Sequence, residues 1–313
     1  MKTNRSSGKF IFLGFISLLT GLTFLTLKYR EGGTVKKNNH TAKAFKEIAD
    51  RYESEFFKQF PEQAQFWGRA DGRVDQFNDH SLSAIVNWQS TEDRFLTELQ
   101  SLKAHDFEGA PEFISFHLLK ETLLKRKKAR ICKVHLWSVN PLGGWHNELT
   151  SLAENQPVGT LEFREAALRR WRTVGGVVDA EIEALKVGLK EGYVAPKVAV
   201  QRVLKQISLI LNVSVENSPF FVFAKKDGDP EFKAEMRELI KDSIQPALKR
   251  YADYLEQNYI SQARDVVGVS ALPAGKECYA AKVEEESTLE ISPQAIFDFG
   301  HAHMESLTRE IGE

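Results

Sequence analysis

The sequence has 313 residues, 42% of them hydrophobic and 27% charged, with a formal net charge of -1. That length supports one large domain or two small ones with a sizeable core. The charge balance excludes the basic excess of a phosphate-reading surface, so nucleic acid is not an expected partner.

The two cysteines, Cys132 and Cys278, form no C-x-x-C pair, which argues against a cysteine zinc site. They can close one long-range disulfide or remain thiols; the sequence leaves both readings open.

Residues 10–27, FIFLGFISLLTGLTFLTL, carry no charge and are flanked by Lys2, Arg5 and Lys9 before and by Lys28 and Arg30 after. At a helical rise of 1.5 Å per residue they span about 27 Å, enough to cross a hydrocarbon layer. No convincing small-residue cleavage site follows. The stretch therefore predicts an uncleaved signal-anchor helix, a cytoplasmic tail at 1–9 and the bulk of the chain outside the cytoplasm. Residues 28–42, polar and glycine-bearing, read as a linker.

From there the pattern is helical almost throughout. Thr41 can cap a helix carrying Phe45, Ile48, Tyr52, Phe56 and Phe57, which stops before Pro61. Ser81 to Leu102 places Leu82, Ile85, Trp88, Phe95, Leu96 and Leu99 at amphipathic spacing. Phe113 to Arg130 predicts a helix with a basic, solvated C-terminal end, LLKRKKAR. Residues 135–150, with Asn140-Pro141 and Gly143-Gly144, read as an irregular break. There Trp137, Trp145 and His146 can line a pocket or pin the loop to the core.

Thr160 to Glu191 predicts one long helix, kinked or closely approached at Gly175-Gly176 and stopped at Gly192. Pro196 opens the next helix, and Pro230 to Tyr259 predicts another that Pro246 should bend or break. Residues 265–291 read as non-helical. Ser292 and Pro293 then open a last helix as N-cap and first residue. The expected fold class is all-α, a multi-helix domain over 43–313 behind an N-terminal transmembrane helix, with few or no strands.

Chemistry-bearing motifs are scarce. The chain has no G-x-S-x-G elbow, no phosphate loop and no H-E-x-x-H. On the last helix His303 falls within the apolar arc of Ile296, Phe299, Gly300, Met304, Leu307 and Ile311, and reads as core-facing. His301 lies outside that arc, one turn before Glu305. The two histidines project about 160° apart, so they do not read as a shared metal site. No catalytic, cofactor-binding or metal residue is assigned.

Five stretches together carry a resemblance. They are FPEQAQFWGRADGRVDQFNDHSLSAIVNW (60–88), EALKVGLKEGYVAPKVAVQRVLKQI (183–207), SPFF (218–221), ALKRYADYLEQNYI (247–260) and LPAGKECYAAKVEEESTLEISPQAIFDFGHAHMESL (272–307). In order and spacing they resemble the exported bacterial proteins called domain of unknown function 885, whose members are similar to gluzincin-type zinc metallopeptidases. The resemblance implies that the chain matches the family's N-terminal half. The zinc motif, H-E-x-x-P-G-H, would follow the matched region and is absent from this sequence. Zinc is thus expected only with a C-terminal half. His303 stands where the family usually has an acidic residue, and EESTLE replaces a threonine-rich tract.

Two functions follow as expectations. One is the N-terminal, non-catalytic part of a membrane-anchored metallopeptidase-like protein, inactive towards peptides by itself. The alternative is a membrane-anchored helical protein that binds a peptide or partner without catalysis. The expected partners are the membrane through 10–27, and a peptide substrate or a C-terminal half supplied in trans.

Overall fold

The computed structural model describes residues 39–69 and 73–312. The first helix, α1 (Asn39–Gln59), turns its Phe45, Ile48, Tyr52 and Phe57 inward. Thr41 sits inside it rather than capping it, and its hydroxyl donates to the Asp106 carboxylate at 3.0 Å. A short α2 (Pro61–Phe66) precedes α3 (Leu82–Ser101). Ser81 is the N-cap of α3, accepting from the Ala84 amide at 3.2 Å. With α4 (Phe113–Ala129), these helices enclose an aromatic core. Phe107 stacks on Phe116 at 4.2 Å, and Phe45 meets both edge-on at 5.9 and 5.8 Å.

The basic end of α4 is not a solvated helix terminus. Arg126 and Arg130 grip the buried Glu92 at 3.3 and 3.1 Å, and Arg130 also reaches Asp93 at 2.9 Å. Lys125, itself buried, pairs with Glu284, as does Lys128 at 2.7 Å. Internal acids on α3 and beyond consume the charge run, so it needs no acidic partner.

The larger core is built from α5 (Trp145–Glu154) to α11 (Gln245–Tyr254). The long helix expected over 160–191 is two helices, α6 (Leu161–Arg172) and α7 (Val174–Glu191), divided by a turn at Thr173. Close approach occurs not at Gly175-Gly176 but at Gly188, where a Cβ would collide with the Leu136 and Tyr193 carbonyl oxygens. Gly192 ends α7 at φ 79°. Next come α8 (Lys197–Leu211), with Pro196 as its N-cap, and the short α9 (Val222–Lys226).

The helix α10 (Pro230–Leu239) runs into α11 through a π turn at Ile240–Ile244. Pro246 has no N–H to donate and would crowd the carbonyl one α-turn back. The wider turn just before it lets the rod pass the proline unbroken. A second π turn follows at Leu255–Tyr259.

Residues 265–291, expected to be non-helical, contain α12 (Gly275–Ser287). Its sequence has no apolar stripe to reveal it. Instead the Lys125–Glu284 pair holds it to α4, and the disulfide Cys132–Cys278 ties it to the turn that follows α4. The chain described ends in α13 (Pro293–Gly312), opened by Ser292, whose Oγ accepts from the Ala295 amide at 3.1 Å.

Among the described residues the only β feature is an isolated bridge between Pro196 and Arg264. No helix among them is long and apolar enough to cross a membrane. The longest, α1, α3 and α13, each carry several charged residues. The membrane-spanning helix expected at 10–27 lies outside the described residues. The fold class is therefore corrected to all-α with no membrane-crossing helix among the described residues, and the transmembrane helix, signal anchor and membrane partner are not carried further.

Candidate functional site

The face of α13 is unpartnered. Phe299 and Ile311 are 71% and 84% exposed, and Ile296, Phe297, Met304 and Leu307 are exposed beside them. No residue of α13 is buried. His303, expected to face a core, lies exposed with its ring stacked 6.0 Å from that of Phe299. His301 packs against Phe297 at 4.3 Å. The structure thus keeps the two histidines apart, each on its own phenylalanine. Leu289 and Tyr279, on the chain before α13, are 59% and 51% exposed. A row of exposed apolar side chains of this kind marks a candidate interaction site.

The 135–150 break is structured. Trp145 and His146 begin α5 and are buried. Trp145 meets Tyr251 edge-on at 4.8 Å. The Pro141 carbonyl accepts from Asn147 at 3.0 Å and from Gln206 at 2.9 Å. His146 Nε2 lies 3.0 Å from Gln206 Oε1, and burial lowers its pKa, so it stays neutral. The loop is pinned onto α8.

A polar cluster that the sequence motifs did not reveal joins the segment before α3 to α7. His80 Nδ1 is 2.7 Å from Glu181 Oε1, and Ser138 Oγ donates to Glu181 Oε2 at 2.9 Å. Both oxygens of the buried Glu62 accept from Asn78, at 2.9 and 3.2 Å. Burial lowers the His80 pKa, but the hydrogen bond to Glu181 and the charges of Glu181, Glu62 and Glu148 more than offset it, and the net shift is upward. Glu148 reaches solvent, yet desolvation of its carboxyl and the neighbouring Glu62 raise its pKa.

The arrangement differs from a hydrolytic triad. The carboxylate, not the imidazole, stands in the middle, so Ser138 has no imidazole base to activate it. Zinc does not fit the residues either. The Glu62 and Glu181 oxygens are already bonded within the protein, and among the described residues no group of three His, Cys, Asp or Glu side chains converges on one point.

The raised His80 pKa gives a signed expectation. A group whose pKa is higher folded than unfolded contributes stability that is complete below its unfolded value and is lost as pH rises through the folded one. His80→Gln should cost about 1–2 kcal/mol at pH 6, the worth of a charge-assisted hydrogen bond, and the gap to wild type should narrow towards pH 9. His146 and His135, whose pKa values are lowered by burial, act with the opposite sign. For that reason the difference between the two proteins, measured by urea unfolding across pH, is the quantity to follow. A constant gap would contradict a charged His80.

Arg170 holds the same region from below. It is fully buried and donates to the carbonyls of Gln76 and Arg73, both at 2.8 Å, to Gln156 Oε1 at 3.0 Å and to Gln65 Oε1. Burial lowers its pKa to about 10, so it remains charged at neutral pH. The helical repeat holds the signal for it: Arg170 follows the buried Ala166 and Ala167 by four and three positions and precedes the buried Val174 by four.

The comparisons with known proteins agree with this all-helical picture. The structure of a protein described as "the putative lipoprotein from Colwellia psychrerythraea" is similar, with a TM-score of 0.64 and 17% sequence identity over 87% of this chain and 50% of that one. The chain therefore spans about half the length of that protein, and at such identity the likeness speaks for the fold alone. No curated protein matches the sequence. A family described as "Bacterial protein of unknown function (DUF885)" matches residues 61–313. With most of its length matched, the chain belongs to the DUF885 family of bacterial proteins.

Proposed function

We propose that the chain works as a non-catalytic helical domain that binds a protein partner through the outer face of α13. The occupant is a segment of further family fold. Two observations support this: the row of exposed apolar side chains on α13, and the match covering only 50% of the structurally similar protein. The same reading takes up the motif resemblance to zinc peptidases. Residues 39–312 would be the part that supports such chemistry without performing it, so the purified chain with added zinc should release no peptide product above the blank.

An extracytoplasmic location belongs to this proposal. The Cys132–Cys278 bridge and the lipoprotein description of the similar protein support it. A reduced pair in freshly lysed cells would speak against it.

The face itself can be read directly. Residues 34–313, the compact unit, should raise the fluorescence of an anilinonaphthalene sulfonate dye in the folded state. Phe299→Glu with Ile311→Glu should reduce that signal by about half or more without lowering the melting temperature, since neither side chain contributes to a core. An unchanged signal would remove the observation on which the proposal stands.

A further inference from the structure

An open groove lies between the segment before α3 and the junction of α6 and α7. Phe77, Gly176, Val177 and Ala180 line it among polar and charged side chains that include Asp75, Asp79, Arg169 and Arg172. Two features need an explanation. A glycine inside a helix costs about 1 kcal/mol relative to alanine. At Gly176 a Cβ would meet no heavy atom within 4 Å, and no left-handed backbone requires the glycine. The open space beside it is part of the groove.

The second feature is a half-used charge pair. Arg169 Nε stands 3.7 Å from Asp75 Oδ2, beyond hydrogen-bond reach. The other neighbours of the pair are equally distant: Glu165 is 3.7 Å from Arg169, and Arg73 is 3.7 Å from Asp75. A guanidinium and a carboxylate thus stand side by side on the wall of the groove, beside the edges of Phe77 and Val177, with donors and acceptors to spare.

We propose that this groove binds a free α-amino acid with an aliphatic side chain. Its carboxylate lies on Arg169 and its ammonium on Asp75, so that its own charge pair runs opposite to theirs and each gains a charge-assisted hydrogen bond. Its side chain lies over Gly176 against Phe77 and Val177. Net charge in the groove is unchanged, and a ligand with one charge alone leaves one protein group without a partner.

Calorimetric titration of the purified full-length chain with L-leucine tests this. The expected result is one-to-one binding with a Kd of about 0.1–1 mM, the range open to so small a ligand. L-leucinamide and N-acetyl-L-leucine, each lacking one charge, should bind at least about tenfold more weakly. Arg169→Gln should weaken leucine by a similar factor. Gly176→Leu should abolish binding while keeping or raising the melting temperature, because a better helix former fills empty space. Equal binding of all three compounds, leucine binding unaffected by both substitutions, or no leucine binding at about 10 mM would each overturn the proposal.

Discussion

Arg170→Met is expected to cost about 3–5 kcal/mol of unfolding free energy, among the largest effects of any single change outside the apolar cores. The substitution keeps much of the volume and the apolar stem, so loss of packing does not dominate. What goes is the set of donors. Two backbone carbonyls, of Arg73 and Gln76, and two side-chain amides, of Gln65 and Gln156, lose their partner together. Buried acceptors left unpaired cost about 1–3 kcal/mol each where water cannot reach them. Arg170→Lys should recover less than half of the loss, because one ammonium cannot span four acceptors spread over three chain segments. Urea unfolding of the three proteins measures this. A methionine variant within about 1 kcal/mol of wild type would mean that the segment before α3 is held by other contacts.

Loss of the Cys132–Cys278 bridge is expected to cost about 2–5 kcal/mol. The bond ties residues 146 apart in sequence. In the chain-entropy account a 100-residue loop is already worth about 4.7 kcal/mol at 25 °C. The measured loss should fall below the entropic maximum, because Lys125 and Lys128 still hold Glu284 when the bridge is cut. The double variant Cys132→Ser, Cys278→Ser and the reduced wild type should unfold at the same urea midpoint. Two different midpoints would show that the serines do more than open the bond.

These two sites mark the limit of what the sequence made legible. Helix ends set by local chemistry were readable: Ser81, Gly192 and Ser292 stand where side-chain capping and a left-handed stop require them. The inward faces of α1 and α3 were readable from the spacing of Phe45, Ile48, Tyr52, Phe95 and Leu99. Readings that depended on distant partners failed. The helix α12 shows no periodicity because a covalent bond and an ion pair anchor it rather than an apolar stripe. The basic end of α4 looked solvated because Glu92 and Glu284 lie far from it in sequence. Pro246 looked like a break because a π turn cannot be read from residue spacing.

The same limit applies to the candidate sites. The apolar arc on α13 was visible as a pattern, but the pattern predicts burial, and only the structure leaves Phe299 and Ile311 in solvent. His80, Glu181 and Ser138 are scattered over 101 residues and match no motif. Gly176 drew notice as a helix glycine, yet its meaning depends on the empty space beside it.

The central claim is that the outer face of α13 is a binding surface. Sedimentation equilibrium of residues 34–313 against the Phe299→Glu, Ile311→Glu variant tests it most directly. Without its partner the wild-type face should pair with itself, reversibly, in the range of about 10–100 µM, and the doubly charged variant should remain monomeric with an unchanged fold. A wild-type protein that stays monomeric throughout that range, or an assembly that the two glutamates leave intact, would contradict the account.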